Sequence, residues 1–183
     1  MTMILAAAWA IGAAINNKPA PVNGARYETA TLAGGCFWGL QETLRQIPGV
    51  VKTTVGYTGG VALNPTYEQV RGGKTGHMEA VEVLFNPGEL RYEDLVADFL
   101  AARNPASEST NAGSVHRSIV FYHTEAQRLL AERVRDKISQ SQKWKFPVVA
   151  EVSPAAKFYP AEEYHQDYYR KTAAMHACDL EKN

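Results

Sequence analysis

The sequence predicts an α+β domain with a mixed, mostly antiparallel sheet and helices packed on it. Stretches of period-two alternation exchange with stretches of helical spacing along the chain. Several links between them are too short for the crossover that parallel neighbours need. No repeat, charge block or shift in composition marks a second core.

Residues 1–25 stand apart from this pattern. Met3 to Ile15 is apolar and as long as the hydrophobic region of an export signal, but no cation precedes Lys18. A degenerate export signal and a plain extension both stay open, and with them an exported or a cytoplasmic location. Asn16 to Gly24 has the character of a linker. The folded domain is expected over residues 26–172, with a flexible tail at 173–183.

Glu28 to Ala33 reads as a short strand. Phe37, Leu40, Leu44 and Ile47 then recur at helical spacing until Pro48-Gly49 stops the run. Val51, Thr53 and Val55 alternate with polar neighbours in a strand that ends in Gly56-Tyr57-Thr58-Gly59-Gly60. From Asn64 to Gly73 the Asn-Pro and glycine punctuation predicts irregular backbone, long enough to be functional. Gly76 to Phe85 is the next strand, and Asn86-Pro87-Gly88 turns the chain. Tyr92, Leu95, Val96, Phe99 and Leu100 make an amphipathic helix, and Arg103 to Val115 is a polar loop. Ser118 to Tyr122 is a strand. Thr124 opens a long helix with Gln127 three residues on, a capping-box pattern, and Leu130, Val134 and Ile138 form its apolar stripe. Pro147 to Val152 is another strand. A last helix is expected from Pro160, where His165, Tyr168 and Tyr169 could reach an active site but read more readily as groups packing on the core.

The bulk numbers exclude several classes. A chain of 183 residues suits one domain with extensions. Basic and acidic residues both number 19, so no global field points to nucleic acid or an anionic membrane. No run reaches the roughly 20 apolar residues of a membrane span. The two cysteines, Cys36 and Cys178, are too few for a disulfide scaffold and lack zinc-site spacing. They suit an attacking and resolving pair of thiols.

Chemistry concentrates in Gly34-Gly35-Cys36-Phe37-Trp38-Gly39. Cys36 falls where a strand hands over to a helix, and the orphan N–H groups and positive dipole end of that helix favour a thiolate. Glycines before it permit close backbone approach, and Phe37 and Trp38 can wall a small apolar pocket. A lone cysteine is more often a small core hydrophobe. The flanking glycines and tandem aromatics argue for the reactive reading. In the strand from Met78, alternation puts Glu79 on one face with Val81, Val83 and Phe85, and Glu82 on the other. A desolvated carboxyl at Glu79 has a raised pKa and suits proton donation near neutrality. From the strand alone, a solvent-facing Glu79 stays equally open.

These residues resemble the peptide methionine sulfoxide reductases of the A type. The matching pieces are Gly34 to Gly39, Gly56 to Gly60, Asn64 to Tyr67, Thr75 to Val81, Arg117-Ser118 and Phe158 to Gln166, in the family's order. Together they cover nearly everything from Thr29 to Tyr169. The resemblance implies a ferredoxin-like two-layer sandwich that reduces the S epimer of methionine sulfoxide, free or in proteins. It implies Cys36 as nucleophile, Phe37 and Trp38 as the wall for the substrate methyl group, Glu79 as proton donor and Tyr67 as hydrogen-bond donor to the sulfoxide oxygen. Aligned backward from Arg117-Ser118, the family's aspartate and tyrosine positions hold Asn111 and His116, which take those places as substrate-binding groups. Cys178 lies near the family's resolving cysteine.

The chemistry agrees with that resemblance. A sulfoxide sulfur is electrophilic only when its oxygen is protonated or strongly hydrogen-bonded, so a thiolate and an acid must act together. Attack by Cys36 with a proton from Glu79 releases methionine and leaves a sulfenic acid. A second thiol then condenses with it, and a thioredoxin-like partner reduces the disulfide. No bound cofactor or metal is expected, and a monomer is expected. Two rivals remain: a methionine-sulfoxide-binding module with impaired turnover because of the Asn111/His116 loop, and a thiol peroxidase or acyl-transferase with His116 as base.

Overall fold

Six strands form one sheet in the order β5-β4-β1-β3-β2-β6. The computed structural model describes residues 26–102, 118–141 and 150–172. Within them run β1 (Glu28–Ala33), α1 (Phe37–Arg45), β2 (Val50–Thr58), α2 (Tyr67–Arg71), β3 (Met78–Phe85), α3 (Tyr92–Ala102), β4 (Ser118–Tyr122), α4 (Glu125–Gln140), β5 (Ala150–Pro154), β6 (Tyr159–Pro160) and α5 (Tyr168–Thr172). A 3-10 turn at Glu163–His165 separates β6 from α5. All neighbouring strands are antiparallel except β4 and β5, which run parallel. The mixed, mostly antiparallel sheet expected from the short links is present. Among the described residues no helix is long and apolar enough to cross a membrane.

Period-two alternation sorts the sheet's two faces. Ala30, Leu32, Val55, Tyr57, Val81, Val83, Phe85 and Val120 share one core with Phe37, Leu40 and Leu44 of α1, Leu95, Phe99 and Leu100 of α3, and Ala131 of α4. Ala33, Met78, Ala80, Ile119 and Phe121 point the other way, where Ala155 and Phe158 pack on them. The helices therefore cover one face, and the face carrying Glu79 is that one.

Three local readings differ from the structure. The stretch after Asn64 holds a short helix, α2, started by a full capping box: Thr66 Oγ1 accepts from Gln69 N while the Gln69 side chain accepts from Thr66 N. At α4 only half of that device forms. Thr124 Oγ1 accepts from Gln127 N at 3.2 Å, but the Gln127 side chain accepts from His123 N and donates to Thr29 O, tying α4 to β1. The expected last helix is broken into β6, the 3-10 turn and α5. Gln166 turns its amide onto β2, accepting from Val55 N and donating to Val55 O, and Asp167 takes a left-handed φ of 56°. Of the expected strand at 147–152, residues 147–149 lie outside the described residues.

Candidate active site

Cys36 is the N-cap of α1, with extended backbone angles and its carbonyl accepting from Leu40 N at 3.3 Å. Gly35, just before it, has φ 62°, a conformation that a side chain would strain. The first turn of α1 contains no acidic residue of its own. A carboxylate from the sheet fills that role: Glu79 Oε2 accepts from Phe37 N at 2.9 Å. Cys36 and Glu79 are thus brought to the same helix terminus from two non-adjacent elements. Burial pushes the Glu79 pKa up, against the opposing pull of the Phe37 N–H. Glu82 points to the opposite face, between Thr31 and Thr54 in the register of the sheet.

Aromatic rings enclose the space beside this pair. Phe37 is buried, with ring centroids of Trp38, Tyr57, Tyr67 and His165 at 6.2, 6.0, 6.3 and 5.2 Å. Tyr67, at the first turn of α2, lies nearly parallel to Phe37, at 20°. Its phenol pKa is raised by burial and by the nearby Glu79 charge, so the hydroxyl keeps its proton at neutral pH. Trp38 is clasped from the other side by Tyr168, stacked at 3.9 Å and 9°.

The indole nitrogen of Trp38 donates to Nδ1 of His165 at 3.1 Å. An indole only donates, so Nδ1 is the acceptor and the neutral ring carries its proton on Nε2. That Nε2 is buried and has no hydrogen-bond partner among the described residues. Burial lowers the His165 pKa, while Glu162 pulls it the other way.

Glu162 ties the enclosure together. Its Oε2 accepts from the hydroxyl of Tyr57 at 2.7 Å and its Oε1 from Tyr67 N at 3.0 Å. Burial acts to raise its pKa, but the Tyr67 N–H and the Tyr57 hydroxyl outweigh it and leave it below the usual carboxylate range. Tyr57 is wholly buried and pairs directly with Glu79 across β2 and β3. Burial and the Glu162 hydrogen bond raise its phenol pKa far above neutrality.

Of the residues picked out in the sequence, Cys36, Phe37, Trp38, Tyr67 and Glu79 converge here. Asn111, His116 and Cys178 lie outside the described residues. Sequence reasoning misses Glu162 and Tyr57, and it reads His165 and Tyr168 as packing groups although both touch Trp38. Glu162 carries no periodic signal, because its partners are 95 and 105 positions away. The available signal is the Phe158–Gln166 motif itself, which periodicity cannot give a role. No cluster of side chains able to hold a metal occurs among the described residues.

Comparison with known proteins gives concordant matches. The model of the family described as "Peptide methionine sulfoxide reductase" matches residues 28–183. A curated peptide methionine sulfoxide reductase MsrA of Listeria innocua is 45% identical over 150 residues, covering 80% of this chain and 85% of the relative. One of Methanoculleus marisnigri is 42% identical over 147 residues, covering 79% and 90%. Among solved structures, reduced Mxr1 from Saccharomyces cerevisiae superposes with a TM-score of 0.76 at 28% identity, covering 84% of this chain and 90% of that one. Methionine sulfoxide reductase A of Corynebacterium diphtheriae gives 0.66 at 29% identity, covering 80% and 76%.

Proposed function

Because the chain belongs to the peptide methionine sulfoxide reductase family, we propose that its reaction runs on Cys36 as nucleophile and Glu79 as acid. The protein is a peptide methionine sulfoxide reductase, an oxidoreductase.

The observation that carries the reading is the carboxyl of Glu79 accepting from Phe37 N, one residue from Cys36, with its pKa raised by burial. A proton held there can be delivered to an oxygen lying against the helix terminus while the Cys36 sulfur attacks. The N-terminal dipole of α1 favours the thiolate. Phe37 and Trp38 supply apolar walls for the substrate methyl group, and the protonated Tyr67 hydroxyl serves as donor to the sulfoxide oxygen. Bond by bond, the Cys36 thiolate bonds to the substrate sulfur while the sulfoxide oxygen takes two protons and leaves as water. A water oxygen then bonds to the Cys36 sulfur with loss of one proton, the sulfur–sulfur bond breaks, and methionine leaves with that electron pair. Cys36 is thereby oxidised to a sulfenic acid as the sulfoxide is reduced. The substrate is read as the S epimer, free or in a polypeptide.

We assign the catalytic domain to residues 26–172 and the resolving thiol to Cys178 in the segment 173–183. Asn111 and His116 are assigned to substrate binding. The disulfide that resolution leaves calls for an external dithiol of thioredoxin type and no bound cofactor. The order β4-β1-β3-β2, antiparallel throughout, supports the ferredoxin-like reading of the sheet's centre.

Single-turnover reduction of chiral methionine sulfoxide, without any recycling reductant, tests this. Cys178→Ser should release stoichiometric methionine from the S epimer and none from the R, and Cys36→Ser none from either. Glu79→Ala should slow the step by about 100-fold or more, the usual worth of a general acid, whereas Glu82→Ala keeps the parent rate. Equal losses at the two glutamates would remove Glu79 from its role.

A further inference from the structure

We propose that Glu162 is a positioning residue for sulfoxide reduction, a carboxylate clamp that holds Tyr67 over the reacting oxygen by pinning α2 to β2. The inference rests on the reading of Tyr67 as the donor to that oxygen.

Helix α2 has five residues, Tyr67–Arg71, and a helix that short has little stability of its own. Its capping box satisfies amides within the helix but does not fix it to the body of the fold. Glu162 does so, because its two oxygens serve different elements: one takes the main-chain N–H of Tyr67, the other the hydroxyl of Tyr57 in the central sheet. Tyr57 in turn sits opposite Glu79 in register. The acid and the phenol thus reach a common oxygen through one short chain of contacts: Glu79, Tyr57, Glu162, Tyr67.

Both Glu162 oxygens are engaged as acceptors, and the group is ionised at neutral pH. It has no proton to give, so it acts through Tyr67 and not on substrate. Hydrogen bonds to an ionised acceptor are roughly twice as strong as neutral ones, which suits a clamp on a marginal helix. A glutamine here keeps both contacts in another form. Its amide oxygen accepts from Tyr67 N, and its amide nitrogen donates to the Tyr57 hydroxyl oxygen, which can accept as readily as donate.

A double-mutant cycle on the single-turnover rate separates positioning from mere stabilisation. The set is Glu162→Ala, Glu162→Gln, Tyr67→Phe and the Glu162→Ala/Tyr67→Phe pair, with rates normalised to folded protein by circular dichroism. Glu162→Ala should slow methionine formation by about 10- to 100-fold, the loss expected for a hydrogen bond to a charged group. Glu162→Gln should recover most of that rate. In the Tyr67→Phe background, removing Glu162 should cost nothing further. Should Glu162→Ala fail to fold, Glu162→Asp takes its place in the cycle, since it keeps the charge but draws it back from Tyr67 N by one methylene. Additive losses in the cycle, with Tyr67→Phe itself slow, would overturn the clamp and leave the Tyr67 reading standing. A Tyr67→Phe protein as fast as the parent would overturn that reading, and the clamp with it.

Discussion

At the scale of single residues, Glu79 combines two opposing demands. It must be protonated to act, and burial raises its pKa toward that state, while it also accepts from Phe37 N, which pulls the other way. A carboxyl whose folded pKa lies above its unfolded value gives a fold that is most stable below the unfolded value. That stability is lost as pH rises through the folded one. Glu79→Gln keeps the acceptor for Phe37 N but never ionises. The melting temperature of Glu79→Gln should therefore match the parent's in acid and exceed it on the alkaline side, in a scan of thermal unfolding against pH. Parallel curves would mean that Glu79 is not desolvated. The face of this residue was legible, because a two-residue period puts Glu79 with Val81, Val83 and Phe85; its burial was not, since from the strand alone a solvent-facing carboxyl stays equally open. Nor were its neighbours. Nothing in the run Ala161-Glu162-Glu163 tells which glutamate turns inward, since that depends on Tyr57 and Tyr67 arriving from elsewhere.

At the scale of elements, the site depends on a strap rather than on a helix. Residues 159–167 run along β2: Tyr159 and Pro160 pair with Tyr57 and Gly56, Ala161 N donates to Val55 O, and Gln166 takes both polar groups of Val55. The far end is fastened where Asp167 N donates to Gln41 Oε1 and Arg45 Nη2 meets Asp167 Oδ1 at 2.5 Å. Gly56 makes the close approach possible, for a Cβ there would collide with Tyr159 O and stand 2.5 Å from Phe158 Cζ. Gly56→Ala should destabilise the protein by about 1–3 kcal/mol, as overpacking does, and lower the single-turnover rate because Glu162 and His165 ride on the strap. Chemical denaturation and rapid-quench kinetics on the same variant check both. Helical periodicity mistakes this strap for a helix, because Tyr164, His165, Tyr168 and Tyr169 mimic an amphipathic stripe, and what fixes the segment is side-chain to main-chain bonding across 111 positions. The short helix α2 was readable in principle, from Thr66 and Gln69 at capping-box spacing.

At the scale of the whole molecule, the helices on one face share a single core with the site's aromatic wall. Phe99 is fully buried in that core. Phe99→Ala should cost about 3–5 kcal/mol, and for a domain of this size the melting temperature should fall by roughly 10 °C. Differential scanning calorimetry measures it. The class of fold was legible from the exchange of two-residue and helical periods along the chain, whereas a turn such as Asn86-Pro87-Gly88 joins β3 to α3 and leaves strand direction open. β4 and β5 pair in parallel, and the link between them, which carries α4, is long enough for the crossover that this requires. At the sheet's other margin, from Val55 to Tyr57, the outer hydrogen-bonding groups of β2 are occupied by the strap. If the strap peels away, the protein loses its activity and at the same moment bares an extended strand margin to any other chain in the same condition. Partial unfolding would then turn a protected sheet margin into a site for edge-to-edge pairing between copies.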